Sequence, residues 1–132
     1  MTPPDTAGIV SVRSPYPFAE TVRRLLAGFA EHGIKVFATI DQAAEAAAAG
    51  LAMPPTTLIV FGNPRAGTPL MLARPLSGLD LPLKALVTEP VPGEVAVSFN
   101  AASYVIRRHS LPPELVGNLE PPERLIANLM SK

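Results

Sequence analysis

Residues 62–71 carry the sequence pattern that is best suited to binding an anion. Residues 62–67, with the sequence GNPRAG, are turn-forming, and Thr68 followed by Pro69 predicts that a short helix begins there. A glycine-rich turn that leads into a helix start presents backbone N–H groups to an anion. Arg65 could add a bidentate contact to a carboxylate or a phosphate.

A purely structural interpretation of the same segment stays open. Gly62, Pro64 and Gly67 could shape a tight connection while Thr68 caps the helix. The spacing of a phosphate-binding P-loop and that of a dinucleotide fingerprint are both absent. The anion site therefore depends on backbone amides that have no partner within the protein.

Asp80 and Lys84 lie four residues apart around Pro82 and form a second candidate for chemistry. Together they could orient a polar ligand, and Lys84 could serve as an amine nucleophile if it were desolvated. The alternative is a structural ion pair, or a carboxylate that accepts hydrogen bonds from a turn.

Met71, with the neighbouring Leu70, Leu72 and Leu76, could line an apolar pocket, although the same residues also fill ordinary cores. The predicted ligand-binding residues are Asn63, Arg65, Gly67, Thr68, Met71, Asp80 and Lys84.

The sequence predicts no metal and no cofactor. The chain has no cysteine, and His32 and His109 have no acidic cluster beside them in sequence, whereas a zinc site needs three or four ligands. Ser110 follows His109, but the chain lacks the nucleophile elbow that would suggest acyl transfer.

Hydrophobic spacing predicts the elements of the first half of the chain. Phe18, Val22, Leu25, Leu26 and Phe29 share one face of a helix. Strands are expected at residues 9–12 and 34–40. Asp41 is expected to cap a short alanine-rich helix over residues 43–49, and residues 57–61 form a continuous apolar run that favours a strand covered on both faces.

In the second half, residues 83–88 and 95–99 predict a hairpin. Asn100 is expected to cap a helix over residues 101–109, residues 112–118 are expected to be irregular, and Pro121 and Pro122 are expected to open a final helix. The order β-α-β-(α)-β-(α)-β-β-α-α predicts an α+β fold, a mostly antiparallel sheet with helices packed on one face. Residues 1–7 are expected to be flexible and residues 8–132 to form a single domain.

Composition excludes several classes of partner. The chain has 11 basic and 11 acidic residues, and it lacks the basic excess that phosphate neutralisation requires, so nucleic acid is not an expected partner. No run approaches the ~20 apolar residues that span a bilayer, so no membrane association is expected. The N-terminus lacks the features of a secretory signal, which makes the cytoplasm the expected location.

Three stretches in the middle of the chain are distinctive together: residues 58–64 (LIVFGNP), 67–71 (GTPLM) and 79–84 (LDLPLK). With Ile40-Asp41 and residues 100–109, they resemble the domain of unknown function 302 family over residues 8–130. The resemblance implies a fold like that of the TATA-binding protein, with a β-α-β4-α core, and a homodimer, but no established activity. Many members carry histidine after the aspartate at the position of Asp41, where this chain has Gln42, so no role of that histidine carries over.

Three functional hypotheses follow. The first is a homodimeric binding or regulatory module for a small, partly anionic ligand or a protein partner, with its site in residues 62–84. The alternative is a small metal-independent enzyme that uses Arg65, Asp80 and Lys84; a desolvated Lys84 would favour it. A third reading is a structural partner domain without a ligand.

Overall fold

A computed structural model describes residues 7–131 of the chain. The N-terminal segment expected to be flexible, residues 1–7, lies outside the described residues except for Ala7. The strands are β1 (Ile9–Arg13), β2 (Lys35–Asp41), β3 (Thr56–Gly62), β4 (Leu83–Thr88) and β5 (Ala96–Asn100). The helices are α1 (Phe18–Glu31), α2 (Gln42–Ala48), α3 (Pro64–Ala73), α4 (Ala102–Arg108) and α5 (Glu120–Leu129), with 3₁₀ helices at Pro75–Leu79 and Pro113–Asn118.

The five strands form one sheet in the order β1-β5-β4-β3-β2, and every neighbouring pair is antiparallel. This arrangement confirms the predicted α+β class and the predicted order of elements. The likeness to the TATA-binding protein stays a prediction. Within residues 7–131, no helix combines the length and the apolar character needed to cross a bilayer.

Helices α1 and α5 cover one face of the sheet and form the main core with it. Leu25 and Phe29 of α1 and Ile126 of α5 are buried against the inward-facing residues of the strands. The rings of Phe29 and Phe61 stack with centroids 4.4 Å apart, a geometry that adds to the stabilisation from burial. Gly28 lets the two helices approach, because a Cβ there would lie 2.5 Å from Leu129 Cδ1.

Burial in β3 alternates rather than being continuous. Thr57, Ile59 and Phe61 are buried, whereas Leu58 and Val60 are only half-buried. The prediction that both faces of this strand are covered was therefore wrong. The apolar run reflects a buried core face together with an apolar opposite face that α1 and α5 do not reach.

Helix α3 begins five residues earlier than predicted. Asn63 is its N-cap, accepting a hydrogen bond from Arg65 N at 2.9 Å, and Pro64 is the first helical residue. Pro69 lies inside the helix instead of opening it. Pro64 presets the backbone angle that a helix start needs, so the residues that suggested a turn form a helical turn.

Two other helix starts show where local patterns succeed and fail. Asp41 caps α2 as predicted, accepting from Ala44 N at 2.9 Å. Asn100 does not cap α4; instead, the carboxylate of Glu123 in α5 accepts a hydrogen bond from Ala102 N. This cap joins residues 21 positions apart, which local sequence does not reveal. The predicted irregular stretch before α5 contains a 3₁₀ helix.

Burial raises the pKa of Glu123 above its ordinary value, and the nearby charge of Glu120 adds to this effect, although the hydrogen bond from Ala102 opposes it. A carboxyl whose pKa is raised by folding stabilises the protein when it is protonated. That contribution is lost as the pH rises from the unfolded pKa through the folded one.

We therefore expect Glu123→Gln, which keeps an oxygen to accept from Ala102 N but cannot ionise, to flatten this pH dependence. As the pH rises from below the ordinary pKa of a glutamate towards neutrality, the unfolding free energy of the wild type should fall relative to that of the variant. Urea unfolding across this range measures the difference, with Glu94→Gln in an exposed turn as the control. Parallel profiles for the wild type and Glu123→Gln would contradict the expectation.

Candidate functional site

A cavity of about 210 Å³ lies where β3 and β4 meet α3 and the start of α5. Its lining is mostly apolar and includes Phe37, Met71 and Leu119, while Asn63, Thr68 and Asn118 supply polar groups. The lining comes from β2, β3, α3, the segment that enters β4, the second 3₁₀ helix and α5. Such a concave, mostly apolar space with a few polar groups is typical of a small-molecule site.

The cavity exists partly because residue 62 has no side chain. A Cβ on Gly62 would lie 3.5 Å from Pro82 Cβ and 3.6 Å from Phe37 Cε2. These are ordinary contact distances, so a methyl group would fit there, and anything larger would enter the cavity. Gly62 therefore places no side chain in the space between β2 and the segment that enters β4.

An outer groove of about 460 Å³ adjoins the cavity. The two share the lining residues Ile34, Asn63, Ala66, Asn118 and Pro122. The groove adds two basic side chains, Arg65 and His32, and neither lining includes an aspartate or a glutamate. The apolar cavity and the groove with its two basic side chains therefore lie next to each other.

The amides at the start of α3 are bonded within the protein. Arg65 N donates to Asn63 Oδ1, and the N–H groups of Ala66 and Gly67 both donate to Asn63 O at 2.9 Å. The premise that these backbone donors are free was therefore wrong, because Asn63 caps the helix. The side chain of Arg65 is exposed, and the described part of the chain offers its guanidinium no hydrogen bond or ion pair.

Asn118 joins the second 3₁₀ helix to α3, with its Nδ2 donating to Ala66 O at 3.0 Å. Leu70, fully buried, anchors α3 in a second apolar cluster with Leu81 and Val105. These contacts hold the wall of the cavity on a rigid element. Rigid support of this kind is what a binding site needs in order to keep its shape.

Asp80 contacts Arg108 and His109 at the end of α4 and does not pair with Lys84. Its carboxylate accepts hydrogen bonds from Arg108 Nη1 at 2.9 and 3.0 Å and lies 2.5 Å from His109 Nε2. The Asp80 and His109 side chains are 11% and 8% exposed, so this cluster is largely enclosed. It ties the end of α4 to the loop before β4, and Asp80 and Lys84 are not paired.

Lys84 is exposed, and its Nζ donates to Pro82 O at 3.3 Å. With Asp80, Lys84 lines a separate crevice of only about 20 Å³.

The structure brings Asn63, Gly67, Thr68 and Met71 together at the cavity and places Arg65 in the groove. Arg65, Asp80 and Lys84 do not line one common cavity.

Several lining residues escaped sequence analysis. Phe37 lies in β2 and Ile34 directly precedes this strand, Pro82 precedes β4, and Asn118 and Leu119 precede α5. Each has an ordinary local role, so nothing in the sequence marked it as part of a site. The one available signal was Gly62 at the end of an apolar strand, since a glycine there often marks a place where a strand must leave room.

The histidines do not form a metal site. His32 Nδ1 lies 2.9 Å from Gly28 O, and His109 contacts Asp80. Among residues 7–131, no group of three His, Cys, Asp or Glu side chains is arranged to hold a metal ion. Gln42, the first residue of α2, is not part of the lining of the cavity or the groove.

The chain belongs to the DUF302 family, a domain of unknown function, which it matches over residues 10–130. Its fold is similar to that in the crystal structure of an uncharacterized conserved DUF302 protein from Bacillus stearothermophilus. The TM-score is 0.78, over 93% of this chain and 95% of that one. The two sequences are 18% identical, so this similarity concerns the fold alone.

Two proteins named Fluoride-specific ion channel FluC 1, from Brucella suis and Brucella abortus, are each 44% identical to this chain over 105 residues. The aligned part is 80% of this chain but 41% and 39% of those proteins. The chain therefore spans about two fifths of the length of these relatives.

Proposed function

We propose that this chain is a binding module for a small, largely apolar molecule and that the cavity behind Gly62 is its site. The observation that carries the proposal is an apolar cavity of about 210 Å³ into which Gly62, one of its lining residues, places no side chain. An apolar protein cavity of about 150 Å³ is large enough to hold benzene. A ligand body of about ten non-hydrogen atoms therefore suits this space.

The alternative of a small enzyme loses its support from Lys84. An amine nucleophile needs desolvation or a cationic neighbour to be activated, whereas Lys84 is exposed and donates to a backbone carbonyl. Asp80 is held by Arg108 and His109. No specific feature favours a reaction over binding.

The Brucella relatives support a regulatory role for the module. In those proteins, a segment similar to this chain is part of a longer protein that is named as a fluoride-specific ion channel. A small-molecule-binding module that accompanies another domain can shift that domain's equilibrium if the ligand prefers one state. The cytoplasmic location predicted from the sequence stays part of this proposal.

The module is further proposed to act as a homodimer that forms through β2. This strand lies at the edge of the sheet, and within residues 7–131 no other strand pairs with its outer side. Phe37 and Ile40 are exposed there, and α2 buries none of its residues. An exposed apolar edge strand is a template for pairing with another chain.

The charges at the ends of β2 favour a second copy as the partner. Lys35 begins the strand and Asp41 ends it. Two copies paired antiparallel around Ala38 would therefore place opposite charges together at both ends. Opposite charges directly across a strand pair are favourable.

The dimer is tested by sedimentation equilibrium at micromolar concentration. We expect a wild-type dimer and a monomer for Ile40→Lys, because a buried, unpaired ammonium would oppose the contact. Leu76→Lys is the matched control; Leu76 is an exposed apolar residue of the first 3₁₀ helix and lies outside β2. A wild-type monomer would rule out the dimer, and a dimer broken only by Leu76→Lys would move the interface away from β2.

The cavity is tested with a neutral probe, 3-phenylpropan-1-ol, followed by amide NMR shifts. We expect a dissociation constant at or below about 1 mM, with shifts around Gly62 and Met71. Gly62→Val should weaken binding at least about tenfold, because its methyl groups occupy the cavity. Leu72→Ala, at a side chain that is 80% exposed on α3, should bind like the wild type, and thermal unfolding checks that each variant is folded.

Two outcomes would contradict the proposal. The first is an absence of shifts in the wild type at millimolar probe. The second is equal affinity in the wild type and in folded Gly62→Val, which would place the bound probe outside the cavity.

A further inference from the structure

We propose that the ligand of this site is a small carboxylate with an apolar body, whose body fills the cavity and whose carboxylate contacts Arg65 in the outer groove. This inference rests on the proposed binding function and adds the chemical class of the ligand.

The connection between the cavity and the groove sets the shape of the ligand. Ile34, Asn63 and Asn118 belong to the lining of both spaces, so the two spaces adjoin, and a ligand longer than the cavity would reach the groove. The inner part offers almost entirely apolar contacts, which favour a hydrocarbon body. The polar end of the ligand must therefore lie at the groove.

The groove favours a ligand group that carries a negative charge. Its lining carries Arg65 and His32 and has no acidic side chain. Three other arginines of the chain are held by carboxylates, Arg23 and Arg24 by Glu20, and Arg108 by Asp80. The described residues give Arg65 no such partner. A guanidinium stays charged at any physiological pH, so an anion in the groove would meet a permanent positive charge.

The available donors fit a carboxylate better than a phosphate. The guanidinium fork matches the two oxygens of a carboxylate in a bidentate contact. Asn63 uses its Oδ1 to accept from Arg65 N, which leaves the two N–H donors of its side-chain amide at the rim. The first amides of α3 are bonded to Asn63, so the backbone adds no cradle for the three oxygens of a phosphate.

His32 contributes less than Arg65 does. Its Nδ1 faces the carbonyl of Gly28 at 2.9 Å, and this carbonyl can only accept a hydrogen bond. The proton of the neutral ring is therefore on Nδ1, and Nε2 becomes a donor only when the ring is protonated. Arg65 is accordingly the residue on which the selectivity of the site depends.

The experiment compares 3-phenylpropanoate with 3-phenylpropanamide, which has nearly the same shape but no charge. Titrations use the full chain and are followed by amide NMR shifts. We expect the carboxylate to bind the wild type at least about tenfold more tightly than the amide. Arg65→Gln should reduce this preference to within about twofold, and Arg65→Lys should keep part of it, because an ammonium keeps the charge but not the fork.

Lys84→Gln is the matched control, since it removes an exposed cation that lies outside the cavity and the groove. Both affinities should stay unchanged in this variant. Equal binding of carboxylate and amide to the wild type would overturn the carboxylate assignment and leave the binding function standing. A preference that survives Arg65→Gln would also overturn it. An absence of binding by both probes would remove the binding function itself.

Discussion

The ring of Phe61, stacked on Phe29 in the core, fixes where β3 ends, and the next residue has no side chain. Because Phe61 is almost fully buried, the end of the strand cannot move without opening the core. Gly62 then leaves a gap between Phe37 and Pro82 that a side chain would fill. The candidate site thus depends on the tightly packed Phe61 and on Gly62, which follows it directly and has no side chain.

The same junction determines how α3 is placed. Asn63 caps the helix immediately after Gly62, and Leu70 anchors it in the second apolar cluster. The helix can therefore neither move into the cavity nor move away from it without losing buried contacts. Its first turn carries Arg65 into the outer groove. The apolar cavity and the basic side chain of Arg65 in the groove are consequently adjacent, and α3 supports both.

The regular elements were predictable from the sequence, whereas the candidate site was predictable only in part. The helical spacing of α1 and the cap at Asp41 are local patterns, and both are confirmed. Asn63, Gly67, Thr68 and Met71, which were predicted as ligand-binding residues, all line the cavity because they belong to the segment that begins α3.

The rest of the site depends on contacts between distant parts of the chain. Asp80 and His109 lie 29 residues apart, and their pairing removes Asp80 from any ligand site. The start of α3 was misplaced because Gly67 and two prolines favour turns locally, while the helix is held in place by the tertiary burial of Leu70. Local patterns carry no information about these two tertiary contacts, although Asn63 and Pro64 by themselves suit the cap and the first residue of a helix.

Methyl NMR of methionine tests the central claim most directly, namely that the cavity behind Gly62 takes up the body of a ligand. The chain has four methionines, of which Met71 lines the cavity, Met130 is buried in the main core and Met53 is exposed. With ¹³C-methyl labelling and saturating 3-phenylpropanoate, the account predicts a shift of the Met71 signal and NOEs from its methyl group to the phenyl ring. The signals of Met53 and Met130 should stay in place. Binding that leaves Met71 unshifted and without NOEs would contradict the account.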